Sequence, residues 1–332
     1  MNIKSYRLTM NNQKSMRISM FLCLVFLTGC LRDTNAIILR TSNEPAELIV
    51  EEYEIVDTNT DSPTHFEFLQ RITLDITEKR ARWKNLAPDL AVQDINAVLT
   101  KYGYTIEHDP MLSSYTYRLF KGYTILLDAA YPLGYATENQ DQRDFALMLQ
   151  TYDGTTYLLQ KAGLEKWQSD EGFSYAPIYY QDDLIYPVIA STIQITSESG
   201  QTIYETSLPS NPVMNPIQTF QAWNGHWILE KEGELIIDGE SLNKELGFQE
   251  IFNWQIIQGE PLFFFQEEKD GPYSMMYAGQ QLDHKYDSIV HYQCCEPAAF
   301  NPAGNTYMVW FYASRDGKWY YVEAGVYPEL ND

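Results

Sequence analysis

Through most of the chain apolar and polar positions alternate with the period of two that belongs to half-buried strands, and short turn signals interrupt the alternation. The clearest signal is Asp316-Gly317, followed by the aromatic run Lys318–Ala324 and a closing Gly325. An Asp-Gly pair in this setting predicts a hairpin, because both central residues of a type I′ turn need positive φ. Asp270-Gly271 leads a run of the same length that closes at Gly279. Trp223–Leu229 followed by Glu234–Gly239 is a looser copy, and Asp153-Gly154 leads another run to Gly163. Units of one kind recurring at about 40 residues predict propeller blades or a similar stacked array.

Taken in order, the first unit runs from Gly103 to Ala130 with a turn at Lys121-Gly122, and the second from Tyr135 to Gly163. The third runs from Tyr175 to Thr206 with a turn at Ser199-Gly200, and the last three end at Gly239, Gly279 and Gly325. No such unit can cover both faces of its own sheet, so the units must stack, and closing them into a ring protects their edges. Ahead of them, 89–103 reads as a helix: Ala91, Ile95, Val98, Leu99 and Tyr102 form a stripe at 3.6 spacing, with Asp89 as N-cap and Gly103 at C′. Residues 47–56 and 66–83 alternate well enough to form a hairpin before that helix. The predicted architecture is all-β: a propeller-like array of about six β-meander units, with a small N-terminal β-hairpin plus one helix.

The start of the chain follows another pattern. Lys4, Arg7, Lys14 and Arg17 precede the apolar run Met20–Leu27, and the run ends in Leu27-Thr28-Gly29-Cys30. This is a basic region, a short apolar region and a small-residue cleavage site, too short for a spanning helix of about 20 apolar residues. Its last four residues resemble the lipobox of bacterial lipoproteins. The resemblance implies that Cys30 is lipidated and becomes the mature N-terminus, anchoring the body to a membrane on the periplasmic side or cell surface. The organisation expected is signal peptide 1–29, tether 30–45, N-terminal hairpin and helix 46–101, and propeller-like domain 102–326.

Cleavage would leave 19 basic against 45 acidic residues, a net of −26 where the full chain carries −22. That charge argues against nucleic acid as a partner and leaves the membrane, through the lipid, and a protein or carbohydrate partner. Phe300-Asn301-Pro302-Ala303-Gly304-Asn305-Thr306, with the strand that follows, is similar to the turn and strand of TolB-type propeller repeats, and Tyr286-Asp287-Ser288-Ile289 stands where such blades carry a similar phrase. That resemblance implies a six-bladed propeller serving as a docking platform for proteins or small molecules.

Candidate chemistry is sparse. The five histidines have no metal-ligand spacing, and no nucleophile elbow, Walker loop or dinucleotide fingerprint occurs. Cofactors are therefore not expected, apart from calcium at Asp57-x-Asn59-x-Asp61, where three oxygen side chains alternate. Ser62 and Phe68 stand where an EF-hand wants Gly and Glu, and the same residues suit an ordinary hairpin turn. Trp223, Trp227 and Trp254 are strand residues that could stack on a ligand or fill the core, with His226 as the polar candidate beside them. Cys294-Cys295 admits a buried thiol pair or a vicinal disulfide acting as a rigid turn. Two functions fit: a non-enzymatic surface lipoprotein that binds a partner or small ligand, or an extracytoplasmic glycan-acting enzyme with paired carboxylates in the funnel.

Overall fold

The computed structural model describes residues 39–42, 44–55, 92–108, 116–167, 175–210 and 215–326. Cys30 with its lipobox, the Asp57-Asn59-Asp61 loop and the expected strand at 66–83 lie outside the described residues. A first strand, β1 (Ile49–Glu54), is followed by a helix, α1 (92–99), that tightens into a 3-10 turn at Thr100–Tyr102. Gly103 ends it with φ 82° and donates its N–H to the Thr100 carbonyl at 3.2 Å, as the C′ glycine was expected to do. Ile95 and Leu99, two positions of the predicted stripe, are buried with Tyr104, Phe145 and Leu147.

The strands then run without interruption by long helices. A meander of β2 (Tyr104–His108), β3 (Tyr117–Lys121) and β4 (Thr124–Pro132) leads into β5 (Thr137–Glu138), β6 (Phe145–Thr151), β7 (Thr156–Gln160) and β8 (Gly163–Lys166). These are the first two expected units, but they share one seven-stranded sheet, because the end of β4 pairs with β6 from Ala130↔Thr151 to Pro132↔Leu149. Three four-stranded sheets follow. They are β9 (Ile178–Tyr180), β10 (Asp183–Ile189), β11 (Thr192–Ser197) and β12 (Thr202–Ser207); then β13 (Thr219–Trp223), β14 (His226–Lys231), β15 (Glu234–Ile237) and β16 (Glu240–Ser241). After the short helix α2 (Leu242–Leu246) come β17 (Glu250–Ile257), β18 (Glu260–Gln266), β19 (Tyr273–Tyr277) and β20 (Gln280–Tyr286). The last sheet holds β21 (Ser288–Ile289), β22 (Ala303–Gly304), β23 (Met308–Arg315) and β24 (Lys318–Gly325).

That last sheet is completed from the other end of the chain: β1 lies antiparallel to β24, from Ile49↔Gly325 to Glu54↔Tyr320. The strand expected near 47–56 therefore exists, and its described partner is the end of the array rather than a sequence neighbour. Consecutive sheets pack face to face. Ile185, Ile193 and Ile195 of the second sheet meet Trp227, Leu229 and Ile236 of the third, and Phe252 and Phe264 of the fourth share a core with Val309, Phe311 and Val322 of the last. Because the fourth sheet is covered on both faces, β18 is buried at every position and its sequence Leu262–Phe265 reads as a continuous apolar run. Helix α1 reaches the last sheet through the Thr306 hydroxyl, which donates to Asp94 at 2.6 Å.

Within each antiparallel meander the first and third turns lie at one end and the second at the other. Asp316 and Gly317 have φ of 54° and 72°, so the predicted I′ turn is formed, at the second-turn end. At Asp270-Gly271 only Asp270 is positive, at 63°. The expectation of a positive φ at Gly271 fails because Pro272 follows, and the residue before a proline is pushed toward extended backbone. The first strands β5, β9, β13 and β17 stand side by side in that order, and they bring the first turns of successive sheets together.

Candidate functional site

A cavity of about 810 Å³ opens at the first-turn end, between three successive hairpins. The loop from β5 to β6 supplies Gln140 and Gln142, the turn from β9 to β10 supplies Gln181, and the turn from β13 to β14 supplies Asn224 and Gly225. Thr137, Glu138, Tyr179 and Trp223 from the ends of the first strands form the walls. The loops are held by their own short-range bonds. Asn139 Oδ1 accepts the N–H groups of Arg143 and Asp144 at 2.8 and 3.0 Å, and the Gln140 N–H donates to the Gln181 carbonyl at 3.2 Å, which ties the first hairpin to the second. Asn224 and Gly225, at φ 49° and 80°, form a tight I′ turn at the rim.

The lining is neutral and hydrogen-bonding. Among the described residues, the side chains of Gln140, Gln142 and Asn224, all exposed at the cavity rim, take no hydrogen bond. Glu138 is the one carboxylate of the lining, and it accepts from Lys101 Nζ at 2.7 Å and the Tyr102 hydroxyl at 2.9 Å. Burial, and then Glu138 itself, pushes the Tyr102 hydroxyl up to about 12, so it stays a donor at neutral pH. The Tyr179 hydroxyl is likewise raised, first by burial.

Beneath the cavity the first strands keep further polar groups. Gln221 lies on β13 between Thr219 and Trp223, and among the described residues its Nε2 is buried without a partner, as are Asn253 Nδ2 and Gln255 Oε1 on the neighbouring β17. Unmet buried groups of this kind cost about 1–3 kcal/mol each, so this part of the fold carries polar capacity against its own stability. Below them Glu230, 1% exposed, accepts the Asn253 N–H and the Tyr292 hydroxyl on Oε1 and the Trp254 N–H on Oε2, all at 2.9 Å. Burial raises the Glu230 carboxyl above its usual value, and those hydrogen bonds oppose the rise.

The residues singled out from sequence are distributed differently. Trp227 and Trp254 are 3% and 2% exposed and do not line the cavity. Trp227 packs on Tyr204, and Trp254 stacks parallel to Phe263, so ligand stacking is corrected to core packing for both, the strand faces they occupy being covered by neighbouring sheets. Trp223 does line the cavity, but at 5% exposure; its Nε1 donates to the Gly259 carbonyl at 3.0 Å and its ring meets Trp254 edge-on. His226 is paired with Asp238 at 2.6 Å, and Asp238 also accepts the Trp227 N–H, which makes this histidine a turn clasp outside the cavity.

Cys294 and Cys295 are exposed free thiols, with Cys295 Sγ donating to Cys294 Sγ at 3.1 Å. The buried pair is thus corrected by their exposure. Their loop commits Val290 and Phe300 to the core and Tyr292 to Glu230, which leaves the thiols facing outward. The calcium candidate lies outside the described residues, and among those described no cluster of His, Cys, Asp or Glu could hold a metal. Gln140, Gln142, Gln181, Tyr179 and Glu138 were missed. The one signal that pointed to them is the recurrence of an amide residue in the turn after a unit's first strand, at Gln181 and Asn224.

Fold and site together define an all-β, propeller-like repeat protein with a neutral polar pocket at one end of its strands. No protein-family model matches the chain, and no curated protein matches it by sequence. Among solved structures, an oligogalacturonate lyase in complex with manganese aligns over 68% of this chain and 77% of its own, at 9% identity and a TM-score of 0.29. BamB from Moraxella catarrhalis aligns over 65% of this chain and 78% of its own, at 12% identity and a TM-score of 0.26. Hsv2p from Kluyveromyces lactis aligns over 57% and 60%, at 14% identity and a TM-score of 0.28. At these scores the likeness carries no argument, and the fold rests on the strand pairing of this chain.

Proposed function

We propose that the protein is an exported, lipid-anchored bacterial surface lipoprotein whose body binds a protein partner or small ligand in the pocket between its first hairpins. Anchoring is supported by the basic and apolar leader ending in Leu27-Thr28-Gly29-Cys30. Binding is supported by one observation above the others: three hairpins bring the amide residues Gln140, Gln142, Gln181 and Asn224 to the rim of a common cavity. Amides offer a donor and an acceptor side by side, which suits uncharged ligands such as saccharide hydroxyls or peptide groups. Cleaving a glycan would call for two carboxylates about 5–10 Å apart. The lining supplies Glu138, already engaged by Lys101 and Tyr102.

The test is photo-cross-linking in cells, with a photoactivatable phenylalanine at Gln140 on the pocket rim or at Tyr152, which is 90% exposed at the far end of β6. A discrete adduct from position 140 and none from 152 is expected. Adducts from 152 alone, or the same adducts from both, would contradict the pocket as the binding site. Anchoring is read separately from fatty-acid labelling, which the Cys30→Ala variant should lose.

A further inference from the structure

The loop between β21 and β22 carries chemistry that the pocket does not use, since none of its residues lines the cavity. Both flanks of the loop are fastened to the body. On the near side the Tyr292 hydroxyl donates to Glu230 at 2.9 Å, and the His291 ring stacks on Phe252 with centroids 3.9 Å apart. On the far side Phe300 is buried against Tyr312, and Asn301 closes the neck of the loop. Its Oδ1 accepts the Gln293 N–H at 2.8 Å, and its Nδ2 donates to the Gln293 carbonyl at 2.9 Å. Between these anchors Cys294 and Cys295 are exposed, with their Sγ atoms 3.1 Å apart. Cys295 has φ 63° and ψ −134°, a backbone conformation that residues other than glycine rarely adopt, and such strain persists only where the surroundings enforce it. The loop thus holds two nucleophiles together at the solvent and uses neither in the core.

We propose that Cys294-Cys295 is a dithiol site that exchanges with small uncharged disulfides, closing to a vicinal disulfide that external thiol reopens. Cys295 donates its S–H to Cys294, and that bond pushes the Cys295 thiol up, so the attack is assigned to Cys294, the acceptor. Cys294 Sγ bonds to one sulfur of the incoming R–S–S–R and expels RS⁻, which takes up a proton and leaves as RSH. Cys295 then gives up its proton and attacks Cys294 Sγ, the bond from Cys294 to SR breaks, and a second RSH leaves. The electron pair lost by the cysteines ends on the two released thiols. Consecutive Cα atoms lie about 3.8 Å apart, whereas ordinary disulfides span about 4.4–6.8 Å, so the closed form is strained and readily reduced. That suits exchange rather than the permanent rigid turn expected from the sequence. A net charge of −22 disfavours anionic disulfides and leaves neutral ones as the substrate class.

The experiment uses the full chain, reduced, freed of reductant and exposed to bis(2-hydroxyethyl) disulfide as the neutral probe. Mass spectrometry then reads the peptide containing both residues. That peptide is expected to become lighter by two hydrogens, to lose both alkylatable thiols and to regain them with dithiothreitol. A peptide that stays reduced, stops at a mixed disulfide, or closes and resists dithiothreitol would overturn the proposal. Closure should run about tenfold or more faster in the native protein than in urea, because the folded loop holds the sulfurs together. Equal rates would show that adjacency in sequence, and not the loop, makes the pair reactive, and would overturn the built site. In Cys295→Ser the mixed disulfide should accumulate on Cys294, and a faster reaction of Cys295 in Cys294→Ser would overturn the assignment of the attacking sulfur.

Discussion

The seam where β1 joins the last sheet and the mouth where three hairpins surround a pocket are made of the same antiparallel strands, yet they use polar groups in opposite ways. At the seam, Glu52 accepts both Arg315 Nη1 and Nη2, at 3.0 and 2.6 Å, and the Tyr286 hydroxyl at 2.7 Å. One side chain thus ties the first strand to the last sheet and to the one before it. At the mouth, the exposed side chains of Gln140, Gln142 and Asn224 take no hydrogen bond among the described residues. Where polar side chains close the array they are used up inside the fold, and at the cavity rim these three amides are left to solvent.

The seam stands on the core beneath it, and the largest effect is expected there. Phe264 is fully buried against Phe252 and Phe311, with ring centroids 5.3 and 4.7 Å apart, so Phe264→Ala should cost about 3–5 kcal/mol in urea unfolding. Next is Glu230→Gln. The new amide N–H would face the donors of Asn253, Trp254 and Tyr292, and a loss of about 2 kcal/mol is expected by the same measurement.

The seam itself can be broken by mutation or by acid. Arg315→Ala should cost about 1–2 kcal/mol, with faster hydrogen exchange across Ile49–Glu54. Burial raises the Glu52 carboxyl, but the bonds from Arg315, Tyr286 and His284 outweigh it and hold the group below its usual value of 4.5. A depressed folded value means the stabilisation is complete above about pH 4.5 and is lost as pH falls through the folded value. Protection factors in β1, which take out the intrinsic slowing of amide exchange in acid, should accordingly fall with acidification in the wild type and be less pH-dependent in Arg315→Ala.

A smaller effect belongs to the hairpin that carries the seam. A Cβ on Gly317 would meet nothing within 4 Å, so the expected cost of Gly317→Val, about 1 kcal/mol, comes from its φ of 72° alone. A melting curve unchanged by this substitution would count against the turn.

These contrasts explain what could be read from the chain beforehand. The Asp316-Gly317 hairpin, the α1 stripe at Ile95 and Leu99, and the order of the repeated units were legible because each is specified by residues close in sequence. The pairing of β1 with β24 was not, since nothing local in Ile49–Glu54 names a partner at the other end of the chain. Gly271 was misread because the Asp-Gly signal was weighed without Pro272. The pocket was hidden for the same reason as the seam: each hairpin contributes one or two ordinary amides, and only the stacking of sheets brings them together. The tryptophans drew notice instead, and their size is what the core uses.

The account depends most on the claim that the amides at the mouth are not needed by the fold. Thermal unfolding of a Gln140→Ala, Gln142→Ala, Asn224→Gly triple variant tests this directly, because the first two substitutions remove only unbonded side chains and glycine tolerates the φ of 49° at position 224. The account predicts a Tm within about 2 °C of the wild type. A fall of about 5 °C or more would show that these side chains hold the structure together, and would contradict their assignment to a ligand.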